Sequence, residues 1–131
     1  MILIDTSAIF AVLDKNDGNH LRAAKFWTAL VESETEILTN SNVLLEAFAL
    51  IQRRHGLGIL HKFQQGMVPM LKIEWIDAEK HFQAVKLLFS YNHRHLSLVD
   101  VSAFATMRRM GINQVFTFDQ HFAEEGFEVL P

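Results

Sequence analysis

Four acids stand where carboxylates can do chemistry. Asp5 ends the apolar run "MILI", and Asp119 ends "QVFTF" at residues 114–118. Both runs read as β-strands. Glu46 lies a little over one turn into a helical segment, and Asp100 lies in the first turn of another. If the strands are parallel, Asp5 and Asp119 share the carboxyl edge of the sheet. Crossover helices return antiparallel to the strands, so the helices carrying Glu46 and Asp100 begin at that edge too. Open α/β sheets bind ligands there, at the point where strand order reverses. Clustered carboxylates raise one another's pKa. A hard divalent cation such as Mg²⁺ or Mn²⁺ relieves that repulsion through oxygen ligands. Two such ions about 3.5–4 Å apart form a clamp for phosphodiester hydrolysis, in which water attacks and no side-chain nucleophile is needed.

The elements that position these acids follow from pattern and punctuation. After "MILI" a helix is expected at 7–13, then a loop "KNDGN". Residues 20–32 read as a helix with Ala23, Trp27, Leu30 and Val31 on one face. A second strand at 36–39 leads to Asn40 and Ser41, which offer caps for a helix reaching about Arg54. "HGLG" breaks it, and Leu57, Leu60 and Phe63 suggest a further short helix. "KIEWI" alternates as a strand does. Residues 78–91 form an amphipathic helix with Ala78, Phe82, Val85, Leu88 and Phe89 at helical spacing. Ser97 opens a helix that Gly111 closes, and "FEVLP" gives a short last strand. Alternating strands and helices imply an α/β fold, with a parallel sheet of four to five strands covered on both faces. No linker divides the chain, so residues 1–131 are expected to form a single domain.

Each acid also has a structural role open to it. Asp5 can cap the first helix. "SLVD" has the form of a capping box, with Ser97 at the cap and Asp100 at the third helical position. Asp119 can cap the short turn "QHF". Glu46 shares a helix face with Asn42, Ala49 and Arg53, and Arg53 would serve as its ion-pair partner. His121 reads as a surface or phosphate-contacting residue; as a metal ligand it would suit zinc or manganese better than magnesium. His93, Arg94 and His95 form a polar loop upstream of Asp100, and Arg94 is the best placed cation for a phosphate. Arg108 and Arg109 end a helix, where they favour its dipole on the edge away from the acids.

Composition excludes several classes. The chain has 131 residues, no cysteine, half its residues hydrophobic and a formal net charge of −3. Thiolate zinc sites, disulfide frameworks and cysteine nucleophiles are therefore absent. A protein held to nucleic acid by a basic surface alone is disfavoured. The start "MILID" has no basic stretch followed by a long apolar one, so no signal peptide is read. No apolar run approaches the ~20 residues of a membrane helix, and a cytoplasmic protein is expected.

Together these stretches resemble a known family. "MILIDTSAIFAVLDKNDGNH" is similar to the start of PIN domains, and "NVLLEAFALI" to their glutamate helix. "LSLVDVSAFATMRRMGI" followed by "QVFTFDQHF" is similar to the segments carrying their third and fourth acids. The resemblance runs along the whole chain, and the length suits the single-domain VapC-type toxins. It implies a three-layer α/β/α PIN-like fold with strand order 3-2-1-4-5. It implies a Mg²⁺- or Mn²⁺-dependent endoribonuclease, a toxin paired with a small antitoxin and forming a homodimer. The implied site is Asp5, Glu46, Asp100 and Asp119 as metal-binding and catalytic acids, with Thr6 supporting metal-bound water. The chain departs from the family at Val99, where Ser or Thr often precedes the third acid. Two other readings remain beside this one. They are an RNA-processing PIN nuclease without toxin function, and a non-enzymatic α/β signalling domain. The second is disfavoured because a phospho-acceptor domain would want paired acids after strand one and a late lysine.

Overall fold

The structure, a computed structural model, describes residues 1–131. Five strands form one sheet in the order β3-β2-β1-β4-β5, and every neighbouring pair is parallel. They are β1 (Ile2–Ile4), β2 (Ile37–Asn40), β3 (Leu71–Glu74), β4 (Gln114–Phe116) and β5 (Glu128–Leu130). The central strand β1 is buried throughout, which explains why it is apolar at every position rather than alternating. Leu3 pairs with Leu38 on one side and with Val115 on the other.

The helices are α1 (Thr6–Leu13), α2 (His20–Glu32), α3 (Ser41–Lys62), α4 (Ala78–Tyr91), α5 (Leu98–Met110) and the single turn α6 (His121–Glu124). With them the sheet becomes the middle of a three-layer α/β/α arrangement, in which α1 packs on α2 and α3, and α4 packs on α5. The aromatic side chains fix this packing. Phe104 of α5 lies edge-on to Phe122 at 4.9 Å, and Phe26 of α2 lies edge-on to Phe116 at 4.8 Å. Phe104, Phe116 and Phe122 are fully buried. Truncating such a side chain costs about 3–5 kcal/mol.

One break falls where the sequence pattern puts it, and one helix face does not. The chain breaks its helix at "HGLG", as the sequence pattern expects. It kinks at Gly56, whose φ of 77° and ψ of −171° only glycine adopts freely, and resumes helix to Lys62. A π-helical turn at Phe63–Met67 and a 3-10 turn at Val68–Met70 then lead into β3. In α4 the inward face is not the one that spacing suggests. Ala84 is buried, and Leu87, Leu88 and Tyr91 pack on the core. Phe82 and Phe89 are 69% and 77% exposed. Two stripes of similar apolar content lie on this helix, and only the tertiary fold selects between them.

A buried polar network ties the carboxyl ends of the strands together. Asn40, the last residue of β2, is fully buried. Its Oδ1 caps α3 by accepting from Val43 N at 2.9 Å, as the sequence predicts. Its Nδ2 donates to Ser102 Oγ at 3.2 Å and Thr106 Oγ1 at 3.1 Å on α5. Thr106 Oγ1 donates in turn to Glu74 Oε1 at 2.9 Å, and Arg109 grips the same carboxylate with two nitrogens. Glu74 ends β3, so α5 spans the carboxyl ends of β2 and β3. This corrects the reading that puts Arg109 on the edge away from the acids, and it leaves Arg109 paired with Glu74. Arg108 is likewise engaged, with Tyr91 and Glu125.

Candidate active site

Strand order makes Asp5 and Asp119 neighbours, because β1 lies beside β4. Asp5 is buried directly after β1, and its backbone N–H donates to Phe116 O at 3.1 Å. It sits at the N-cap of α1, yet its carboxylate makes no capping hydrogen bond. It points into a hydroxyl cluster instead. Thr117 Oγ1 donates to Asp5 Oδ2 at 3.1 Å, and Ser7 Oγ approaches the same oxygen at 3.4 Å. Burial pushes the Asp5 carboxyl up to about 7. The charges of Asp100 and Asp119 push the same way, while the Thr6 amide and the Thr117 hydroxyl pull back. An acid raised first by burial and further by neighbouring carboxylates, with no counter-charge beside it, is what a metal-binding acid cluster presents without its cation.

Asp100 reaches this edge from α5. Its capping box with Ser97 forms as the sequence predicts. Ser97 Oγ accepts from Asp100 N at 3.1 Å, and Asp100 Oδ2 accepts from Ser97 N at 3.0 Å. Capping therefore uses one carboxylate oxygen and leaves Oδ1 free. Asp119 shares its work in the same way. Its Oδ1 accepts from His121 N at 2.9 Å, closing the turn into α6, and its own N–H donates to Thr117 Oγ1 at 3.0 Å. Both acids therefore combine a local structural role with an open oxygen.

Glu46 stands apart. It is exposed on α3, with neither Arg53 nor any other residue as a hydrogen-bond or ion-pair partner. It lines a groove of about 310 Å³ with Asn42, Leu45, Ala49, His81, Leu98 and Val99. That groove reaches the start of α5, two residues from Asp100. Glu46 is not among the charges that raise Asp5.

The sequence reads His121 as a surface or phosphate-contacting residue, and the geometry changes its standing. Asp100, Asp119 and His121 offer ligand atoms that all lie within 4.8 Å of one another. Ser7 and Thr117 are the other residues that sequence reasoning missed. The "DTS" hydroxyls after the first acid and the Thr two places before the last were the available signal. Both serve Asp5 from residues next to the acids already singled out.

The donor set fits a divalent cation. Carboxylate oxygens dominate it, Asp5 is buried without a counter-charge, and Thr6 Oγ1 is a buried hydroxyl with no hydrogen-bond partner. A buried polar atom left unpaired in the protein alone calls for a water, ion or ligand. Asp5, Asp100 and Asp119 are the acids that would hold the cation.

Comparison with known proteins agrees with this architecture. Residues 2–128 match the family described as PIN domain. The chain is 31% identical over 137 residues to the 23S rRNA-specific endonuclease VapC20 of Mycobacterium tuberculosis, covering 100% of this chain and 99% of that protein. It superposes on the crystal structure of Mycobacterium tuberculosis VapC20, a Sarcin-Ricin loop cleaving toxin, with a TM-score of 0.83 and 28% identity. That match covers 97% of this chain and 96% of the other. FitAcB from Neisseria gonorrhoeae shares the fold, with a TM-score of 0.70, 20% identity and coverage of 100% and 97%. So does VapBC2 from Rickettsia felis, with a TM-score of 0.71, 15% identity and coverage of 100% and 98%. The order of the five strands, the acids at their carboxyl edge and the match along nearly the whole chain lead to one assignment: the chain belongs to the PIN domain family.

Proposed function

We propose that this protein is a divalent-metal-dependent endoribonuclease of VapC type, acting as the toxin of a toxin–antitoxin pair. The observation that carries the reading is Asp5. It is a buried carboxylate raised to about 7, with Asp100 and Asp119 as its charged neighbours and no cap to satisfy. When bound, a divalent cation supplies the positive charge that offsets these acids and polarises water and phosphate for hydrolysis. Asp5, Asp100 and Asp119 hold that charge at the carboxyl edge. Ser7 and Thr117 keep the Asp5 carboxylate in one orientation, and Thr6 offers its free hydroxyl to the attacking water. Glu46, which lines the neighbouring groove beside Leu98 and Val99, is the fourth acid of this reading. Arg94, exposed in the loop before α5, is the cation placed to contact a substrate phosphate.

The VapC20 likeness makes 23S rRNA the first substrate to test. Exposed Leu45, Phe82 and Phe89 supply apolar surface for a second copy of the chain or for a small antitoxin. No helix is long and apolar enough to cross a membrane. The deciding experiment is end mapping of total RNA incubated with protein and Mg²⁺ or Mn²⁺, with Asp5→Asn as control. Discrete cleavage sites that vanish in the variant are expected. Equal cleavage by Asp5→Asn would overturn the mechanism.

A further inference from the structure

His121 is the group at this edge that the acids leave unexplained. Its Nδ1 lies 2.8 Å from Asp119 Oδ1. That approach is an ion-pair contact without hydrogen-bond geometry, and Nδ1 is a buried atom with no hydrogen-bond partner. Asp119 Oδ1 already accepts from the His121 backbone N–H at 2.9 Å. The two side chains are therefore held side by side with no hydrogen bond between them. Adjacent ligands on an octahedral cation with bonds of roughly 2.1 Å lie about 3 Å apart. The His121–Asp119 spacing matches such an edge, and Asp100 lies within 4.8 Å of both. The ring is also held in place, since His93 packs edge-on against it at 5.7 Å and 85°. Thr6 adds a second buried orphan, 6% exposed, next to Asp5.

We propose that His121 is itself a cation ligand, so that Asp100, Asp119 and His121 form a mixed oxygen–nitrogen site preferring first-row transition cations, Mn²⁺ among them, to Mg²⁺. The inference rests on the divalent-cation reading of this edge. Mg²⁺ demands oxygen ligands and keeps its waters, whereas imidazole is a good donor to transition ions. An all-carboxylate site has little means of telling Mn²⁺ from Mg²⁺, and one nitrogen donor supplies it.

The test uses the whole chain loaded with Mn²⁺, without RNA. Pulsed electron paramagnetic resonance should detect a directly bound ¹⁴N, which changes to ¹⁵N when the histidines are ¹⁵N-labelled. His121→Asn should abolish the coupling, and His93→Asn should retain it. By calorimetry His121→Asn should lose about tenfold in Mn²⁺ affinity and less than about twofold in Mg²⁺ affinity. Bound Mn²⁺ without nitrogen coupling in the labelled wild type would overturn the proposal, whatever the stability of the variants. So would equal losses for the two ions. Nitrogen coupling in a protein that cleaves no RNA would refute the nuclease reading and leave the ligand in place. RNA cleavage without the coupling would refute the ligand alone.

Discussion

Thr117 donates to Asp5 across 3.1 Å, joining residues 112 positions apart, and the same oxygen accepts the Asp119 N–H at 3.0 Å. One hydroxyl thus sets the distance between the first and last acids. Thr117→Val keeps the volume and removes both bonds. It leaves the Asp119 N–H without its acceptor, at a cost of about 1–3 kcal/mol. A lower denaturant midpoint and a fall in cleavage of tenfold or more are expected, with Thr117→Ser largely restoring both. Thr117→Val with wild-type cleavage would show that the hydroxyl does not position the acids.

The raised Asp5 carboxyl makes metal-free stability depend on pH with a defined sign. Folded Asp5 holds its proton up to about 7, whereas an unfolded aspartate loses it near 4. Between those values the folded state binds more protons, so stability falls as pH rises through the window. The full effect is on the order of 4 kcal/mol. In EDTA, Asp5→Asn should lack this component, being more stable than wild type at pH 8 and similar at pH 4. Chemical denaturation at the two pH values measures it. Parallel curves for both proteins would remove the electrostatic case for an uncompensated acid.

Cation binding should reverse that cost. Mn²⁺ or Mg²⁺ binds the folded state alone, so the melting temperature of the wild type should rise with cation concentration. The Asp5→Asn, Asp100→Asn double variant should show little rise. Ser97 remains the N-cap, and an Asn oxygen at position 100 can still accept from the Ser97 N–H, so the α5 cap survives the change. A comparable rise in both proteins, followed by differential scanning calorimetry, would locate the cation elsewhere.

Arg109 gives a prediction independent of catalysis. Burial pulls the Glu74 carboxyl upward, but the hydrogen bonds and charge of Arg109, with Thr106, hold it below its ordinary range. A depressed carboxylate stabilises the fold above its unfolded pKa and loses that contribution as pH falls through the folded value. Arg109→Met should therefore cost about 2 kcal/mol at neutral pH and less in acid. Arg109→Lys should recover only part, because an ammonium cannot match the two-nitrogen grip. Urea titration at pH 7 and pH 3.5 checks both, and an Arg109→Met loss that is the same at the two pH values would contradict the linkage.

Much of this architecture was legible in the sequence where local rules and the fold agree. The boundaries of α2, α4 and α5 follow from periodicity and caps, and the Ser97–Asp100 box formed as its spacing foretold. The parallel sheet follows from the alternation of strands and helices. Three things were not legible, each because a non-local contact decides it. The buried face of α4 depends on which stripe meets α5. The reach of Arg109 to Glu74 depends on α5 crossing the strand ends instead of running straight back. His121 needed the turn after β4, since two residues of sequence do not tell whether an imidazole faces the acids or solvent. Glu46 was visible as an acid on a helix starting at the correct edge, but its exposure and lack of an Arg53 partner came from the fold.

The pairing of β1 with β4 also has a consequence in time. Asp5 is made 112 residues before its neighbour Thr117, and Asp119 follows Thr117. Until β4 has left the ribosome, a growing chain carries the first acid without the strand that completes its edge. Non-local parallel pairing is slow to form even then. The acid edge therefore closes only once β4 has been made and has paired with β1.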